Sequence, residues 1–397
     1  MSRFDKITNR LNTNSIKWSG DENELPMWVA DMDFEAPEEV SNALIERAAH
    51  KIYGYCDIPS DWNEAIVNWR LKRYNHKIDK DDLLYCTSVI ASISSTVRKI
   101  TSPGENIVIQ TPVYNIFYNC ILNNGRNVLE SPLVYEDGVY SIDFKDLEEK
   151  LSNKQTSMMI LCNPHNPIGR AWSKEELAKI GELCHKYNVV LLADEIHCDL
   201  VDPSLVYTPF SSVNEVCKNI SITCSSPTKT FNLAGLHTSY IYISNPYLKH
   251  KVWRAINTDE VAEANIFAVT GATAAFTYGG AWLDELREYI YQNKLDFINM
   301  VEKELPVHII RSNATYLLWV DCGKICSDTV ELVDFIKAET GLRVTAGKVY
   351  GECGKVFIRV NIATQNVRVK EGAKIGLTLA LSTIICISSA LLFFDNQ

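Results

Sequence analysis

Five short apolar runs, each of strand length, recur through the middle of the chain with helix-like segments between them: Asn106–Gln110, Ser157–Cys162, Val189–Ala193, Asn219–Cys224 and Ser239–Ser244. Runs that stay apolar without alternation require burial on both faces. Lys174–Tyr187 shows what lies between them. Ser173 stands as its N-cap with Glu176 at the capping-box position, and Leu177, Ile180 and Leu183 fall on one face. Strand and helix in alternation predict a mostly parallel sheet covered on both sides. A break follows near Asn245–Pro246, then a long helical section through 250–300. Strands at Tyr316–Val320 and Val356–Val360 then predict a second, smaller domain. The expected class is α/β, a large domain with a mixed, mostly parallel sheet between helices plus a smaller α/β domain. No internal repeat or low-complexity linker interrupts the pattern.

Composition supports such a core and narrows the partners. Of 397 residues, 46% are apolar. A net charge of −10 with no basic stripe gives no electrostatic case for nucleic acid. Twelve cysteines are scattered, mostly inside apolar runs (Cys120, Cys162, Cys224). Cys322 and Cys326 have no His or Cys partners at zinc spacing, so no metal site is expected. Buried thiols in a reducing compartment are the economical reading. The N-terminus, MSRFDKITNR, is charged and lacks the apolar core of a secretory signal.

The chemistry gathers where a parallel sheet binds ligands, beyond the carboxyl ends of its strands. Lys229, in SSPTKTFNLAGL (225–236), directly follows the run Asn219–Cys224. Its amine can condense with an aldehyde. Taken alone, Lys229 reads equally well as a solvated surface lysine. After Val189–Ala193 comes DEIH, whose Asp194 suits a protonated pyridine nitrogen. After Ser157–Cys162 comes NPHNPIGR (163–170), whose Asn166 could donate to a ring oxygen. After Asn106–Gln110 comes TPVY, placing the ring of Tyr114 for stacking. Tyr85–Ser92 leads into a helix ended by Ser102-Pro103-Gly104, so the amides of Val89 and Ile90 suit a phosphate, with Ser226 and Thr228 adding hydroxyls. An aldehyde, a pyridine nitrogen, a ring oxygen and a phosphate together describe pyridoxal 5′-phosphate (PLP). Each piece is weak alone, since an Asp after a strand is usually a helix cap and NPxNP is usually a turn.

Those segments carry a resemblance. The chain resembles the fold-type I PLP enzymes of the aspartate aminotransferase superfamily and, within them, the MalY/PatB group of cystathionine β-lyases (C–S lyases). The resemblance covers nearly all of residues 3–363. It rests on KWSGDENELPMWVADMDF (17–34), KIYGY (51–55), PVYNIF (112–117), LCNPHNPIGR (161–170), ADEIHCDL (193–200), PTKTFNLAGL (227–236) and FIRVNIA (357–363). His197 in DEIH discriminates, because ordinary aminotransferases more often have tyrosine there. The chain departs from the family at Ser88, usually glycine, and at Thr228, usually serine.

The resemblance implies roles residue by residue. Lys229 bonds the cofactor and removes the α-proton; Asp194 meets the pyridine nitrogen; Asn166 meets the ring oxygen; Tyr114 stacks; His197 joins the cofactor's surroundings. Arg359 forms the bidentate clamp on the substrate carboxylate. Tyr55 reaches the phosphate of the neighbouring subunit, which implies a homodimer. Without the family pattern Arg359 reads as a surface salt bridge and Tyr55 as a core aromatic. The implied domains are a large one over 50–286 and a small one from 1–49 and 287–397. The implied reaction is cleavage of cystathionine, and of cysteine or related conjugates, to a thiol, pyruvate and ammonia. Transamination at the same lysine is the competing outcome, and a PLP-binding regulator without turnover the third. At the C-terminus, NVRVKEGAKIGLTLAL (366–381) suits the family's terminal helix, while Ile375–Phe394 is 20 residues without a charge, long enough to span a bilayer. The overlap of the two, with Gly376 and several hydroxyl residues in the span, favours a cytoplasmic enzyme over a membrane-anchored one.

Overall fold

The protein, described by a computed structural model over residues 2–374, centres on a seven-stranded sheet. Its strands are β1 (Leu83–Cys86), β2 (Asn106–Thr111), β3 (Asn127–Pro132), β4 (Thr156–Cys162), β5 (Val190–Asp194), β6 (Ser221–Ser225) and β7 (Ser239–Tyr242), in the order β1-β7-β6-β5-β4-β2-β3. Strands β2 to β6 pair in parallel; β7 runs against both its neighbours, β6 and β1.

Both faces are buried, as the unbroken apolar runs require. Val108, Met159, Leu161, Leu191 and Ala193 point into one core. Their chain neighbours Ile107, Ile109, Met158, Ile160 and Leu192 point into another. Period-two alternation thus divides each strand between two apolar layers. Helices α1 (Glu38–Ala49), α2 (Val89–Ile100), α3 (Lys174–Lys186), α4 (Pro227–Thr230), α5 (Pro246–Thr258), α6 (Ile266–Tyr278) and α7 (Gly280–Glu304) include the covering elements. Leu177, Ile180 and Leu183 of α3 close the first layer, and Ile93 and Val97 of α2 with Val252 of α5 close the second. The Ser173–Glu176 capping box is present at α3 as expected.

Two expectations shift. The run Asn219–Cys224 becomes β6 two residues later, because the Asn214 side chain caps a helix, Glu215–Ile220, that carries the chain through Ile220. The long helical section resolves into α5, α6 and α7, with α6 and α7 bent by 78° at Gly279. A Cβ at Gly279 would lie 2.4 Å from the Phe231 ring and 2.6 Å from the Ala275 carbonyl oxygen, so the sharp junction needs glycine.

A four-stranded antiparallel sheet forms the smaller unit: β8 (His308–Ile309), β9 (Leu317–Asp321), β10 (Thr345–Ala346) and β11 (Phe357–Asn361), in the order β8-β9-β11-β10. The N-terminal segment joins it, since Leu25–Pro26 pairs in parallel with Leu342–Arg343. Among the described residues no single helix is long and apolar enough to cross a membrane; only the bent pair α6–α7 meets the length and composition together. The apolar stretch Ile375–Phe394 lies outside the described residues.

Candidate active site

Strands β4, β5 and β6 end side by side, with Cys162, Asp194 and Cys224 in register. Above them opens a cavity of about 390 Å³ whose walls bring together Asp194, Lys229, Asn166, Tyr114, His197, Thr228, Val89 and Ile90. Residues separated by over a hundred positions in sequence thus face one space, which the separate motifs predict only if the strands run in parallel.

Lys229 sits on the one-turn helix α4, started by Ser226 as N-cap and Pro227 in its first turn. The next residue, Thr230, donates to Asp199 Oδ2 at 2.8 Å, and Asp199 also accepts from Trp69 Nε1 at 2.9 Å and from the Tyr74 hydroxyl. That buried carboxylate fixes the turn. Lys229 Nζ donates to the Ala30 carbonyl at 2.6 Å. Burial lowers the lysine pKa; Asp31 opposes this, Arg359 adds to it, and Asp194 opposes it. The Ser226 hydroxyl does not line the cavity; it bonds the Thr238 carbonyl at 2.5 Å and the Thr228 hydroxyl at 2.8 Å, so phosphate contact from Ser226 would require exchanging a bond it already makes.

Asp194 is held by its neighbour. Glu195, fully buried, pairs with the buried Arg70 at 3.0 Å and accepts from the Phe210 amide at 2.8 Å. Arg70 also donates to the Tyr240 hydroxyl at 3.0 Å. Losing one partner of such a pair leaves the other charge stranded, at a cost of about 3–5 kcal/mol. The Asp194 carboxylate accepts from the Ile196 amide at 3.0 Å. Burial nonetheless raises its pKa to about 7, against the lowering by that hydrogen bond and by Lys229. Burial, with Lys229 and Arg359 adding to it, pushes His197 down to about 3, so its ring is neutral. Burial, aided by Asp194, pushes Tyr114 up to about 12.

Arg359 projects from β11 of the smaller sheet and is buried rather than in a surface salt bridge. It donates to Asn166 Oδ1 at 3.1 Å and to the Trp28 carbonyl at 2.8 Å, and lies 4.9 Å from the Tyr350 ring centroid. A cavity-wall residue of the large sheet is therefore tied directly to the arginine of the small one. Tyr55 is not a core aromatic: it is fully exposed and outside the cavity of its own chain. Ser88 has φ −162°, extended backbone that any residue adopts, and its side chain caps α2 by accepting from the Ala91 amide at 3.1 Å. The substitution for glycine therefore costs no strain. Thr228 keeps its hydroxyl at the wall.

Sequence reasoning missed Ala30, Thr87, His237 and Thr238, which also line the cavity. Ala30 offered no signal, because its carbonyl, not its side chain, meets Lys229. His237 and Thr238 lie just past the end of the PTKTFNLAGL motif, and His237 has φ +54°, a left-handed backbone that brings the chain back to the site.

These walls fit PLP. A lysine, a carboxylate, an amide and an aromatic ring surround one space, which is also lined by Val89 and Ile90, the first residues of α2, whose amides have no acceptor within the helix. His197 Nδ1 and Thr238 Oγ1 are buried there without hydrogen-bond partners. Unsatisfied buried polar atoms mark a place that a polar ligand completes.

Comparison with known proteins agrees. A match to the family described as aminotransferase class I and II spans residues 23–374. The cystathionine beta-lyase PatB of Bacillus subtilis (strain 168) is 39% identical over 378 residues, covering 94% of this chain and 98% of the relative. The PLP-bound C–S lyase of Staphylococcus hominis superposes with a TM-score of 0.89 at 33% identity, over 96% of this chain and 98% of that one. Cystalysin from Treponema denticola, whose crystal structure contains PLP, gives a TM-score of 0.93 at 29% identity, over 97% and 100%. The chain belongs to the class I and II aminotransferase family of fold-type I PLP proteins. Within it, it is closely related to the MalY/PatB-type cystathionine β-lyases.

Proposed function

We infer that this protein is a PLP-dependent carbon–sulfur β-lyase that cleaves L-cystathionine to homocysteine, pyruvate and ammonia. The observation that carries the reading is that Lys229, Asp194 and Asn166 face one cavity while Arg359 is bonded to Asn166 at its edge. Bound there, PLP supplies an aldehyde that captures the substrate amine and a pyridine ring that accepts electrons from Cα. With the cofactor in place, Lys229 would supply the amine that holds its aldehyde carbon, and its Nζ would be the base that takes the substrate Cα proton. Its lowered pKa favours that role, because a neutral amine is needed for both tasks. Asp194 holds a proton at the ring nitrogen. The neutral ring of His197 and the Tyr114 face would line the cofactor's position, Asn166 would orient its oxygen, and the amides of Val89 and Ile90 with the Thr228 hydroxyl would take its phosphate, Ser226 supporting Thr228 from behind the wall.

Arg359 binds the substrate carboxylate through its planar fork. Arg359→Ala is expected to raise KM for cystathionine by about 10- to 100-fold, as loss of a charge-assisted hydrogen bond implies, with a smaller change in kcat. Steady-state kinetics check this. An effect confined to kcat would remove Arg359 from the substrate-binding role.

The large domain is assigned to 50–286 and the small one to 1–49 with 287–397, of which 375–397 lies outside the described residues; the pairing of Leu25–Pro26 with Leu342–Arg343 supports joining the two ends of the described chain. A cytoplasmic homodimer accounts for the exposed run Ile52, Tyr53 and Tyr55, with Tyr55 reaching a neighbouring cavity. Incubation of the PLP-loaded protein with cystathionine tests the reaction. Pyruvate and homocysteine formed without an added 2-oxo acid support the lyase. Amino transfer that requires a 2-oxo acid indicates transamination, and bound PLP without turnover indicates a regulator.

A further inference from the structure

The segment Trp28–Phe34 crosses the site and is laced to both halves of the protein by side-chain amides. From the large-sheet side, Asn232 Nδ2 donates to the carbonyls of Met32 at 3.1 Å and Phe34 at 2.8 Å, while its Oδ1 accepts the Met32 amide at 3.3 Å. From β11, Asn361 Nδ2 donates to the carbonyls of Val29 at 2.5 Å and Asp31 at 2.7 Å. The same segment is anchored by a buried ion pair, Lys17 with Asp33 at 2.8 Å, and by Arg10, which reaches Asp31 and Asp33 at 2.8 Å each. Two of its remaining carbonyls receive the chemistry: Ala30 accepts from Lys229 Nζ at 2.6 Å and Trp28 accepts from Arg359 at 2.8 Å.

The amine and the guanidinium, which come from different sheets, are therefore referenced to one short stretch of backbone. We propose that Trp28–Phe34 is a strap that sets the spacing between Lys229 and Arg359, with Asn232 as the positioning residue that ties it to the lysine turn. Asn232 touches no reacting atom and acts through the strap. It lies three residues after Lys229 and donates to the strap four residues beyond Ala30, so the lysine turn and its acceptor are joined at two points. The strap also gives the lysine amine an acceptor to return to whenever it is not bonded to a carbonyl carbon. The assignment rests on the functional reading for which groups are being spaced.

Asn232 has φ +59°, where alanine would add backbone strain of its own. Asn232→Gly removes the side chain without that strain, and Asn232→Asp keeps its shape while replacing both donations by carboxylate–carbonyl repulsion. The readout is the reactivity of individual side chains in full-length, cofactor-free protein: lysine acylation by acetic anhydride and arginine modification by phenylglyoxal, followed by peptide mass mapping. Both variants are expected to accelerate modification of Lys229 and of Arg359 by about fivefold, the factor that one ordinary hydrogen bond supplies. Lys294, buried in its pair with Asp202, should keep its wild-type rate. In the PLP-loaded enzyme, kcat falls and KM rises together, because both ends of the substrate lose their reference. Unchanged Lys229 reactivity, a response of only one of the two groups, or equal acceleration of Lys294 would overturn the strap. Strap-dependent reactivity in a protein that never turns over cystathionine would support it while overturning the lyase reading.

Discussion

Lys229→Ala is expected to abolish β-elimination, with no pyruvate above background formed from cystathionine. Among the described residues Lys229 is the only lysine in the cavity wall, and the two most buried lysines, Lys17 and Lys294, are already committed to Asp33 and Asp202. Bonding the cofactor and taking the Cα proton both need an amine at this point, so alanine removes two functions at once. The fold should survive, because the turn is pinned by Thr230 to Asp199 and capped by Ser226, neither of which the substitution touches. PLP is still retained non-covalently through the helix amides and the wall hydroxyls. Borohydride reduction of the loaded wild-type protein fixes the cofactor to the peptide containing Lys229. Label on any other peptide would displace the assignment.

The sequence made the large sheet legible because its strands are buried on both faces. Ile107 to Ile109, Met158 to Leu161 and Leu191 to Ala193 are apolar without interruption, and only burial between two layers explains such runs. Both edge strands escaped: β3, NVLESP, is half polar and largely uncovered, and β1, LLYC, is only four residues long and merges into the segment leading to α2. The lysine, carboxylate, amide and aromatic of the site were legible for a related reason: each ends a strand or lies within a few residues of its end, so its place at the sheet's carboxyl edge is fixed by local pattern. Arg359 and Tyr55 were not, and only the family resemblance singled them out. Arg359 reaches the site through the docking of one sheet on another, which no local pattern records. The carbonyls of Trp28 and Ala30 lie further still from view, because backbone groups contribute no residue type to read. Gly279 shows the converse error. A helical pattern continues across it, yet the chain bends by 78° there, at a junction where a side chain would meet the Phe231 ring and the Ala275 carbonyl.

Asp194→Asn slows turnover of the loaded enzyme by a factor on the order of 10³, because a neutral amide cannot hold the proton on the ring nitrogen and electrostatic stabilisation of that size is lost. The same substitution should make the cofactor-free protein more stable near neutral pH. Burial raises the carboxyl from 3.8 to about 7, so the folded protein binds this proton more tightly than the unfolded chain does. Its contribution to stability is fully present below about pH 4 and is lost as pH rises through 7, a swing on the order of 4 kcal/mol. His197, His165 and His76 act in the opposite sense. Burial lowers them to about 3, 4 and 3, so the stability they contribute is present above pH 6.5 and is lost as pH falls toward 3. Those histidines are common to both proteins, and the difference between the two melting curves isolates Asp194. Without PLP, the advantage of the variant over wild type should be several degrees at pH 8 and should shrink progressively as pH falls, disappearing only below about pH 4. With PLP bound, the positive ring nitrogen gives the wild-type carboxylate its partner, and the advantage of the variant at pH 8 should vanish. A pH-independent difference between the cofactor-free proteins would mean that Asp194 is not the strained carboxylate of this site, and near-wild-type turnover in the variant would remove it from the proton-holding role.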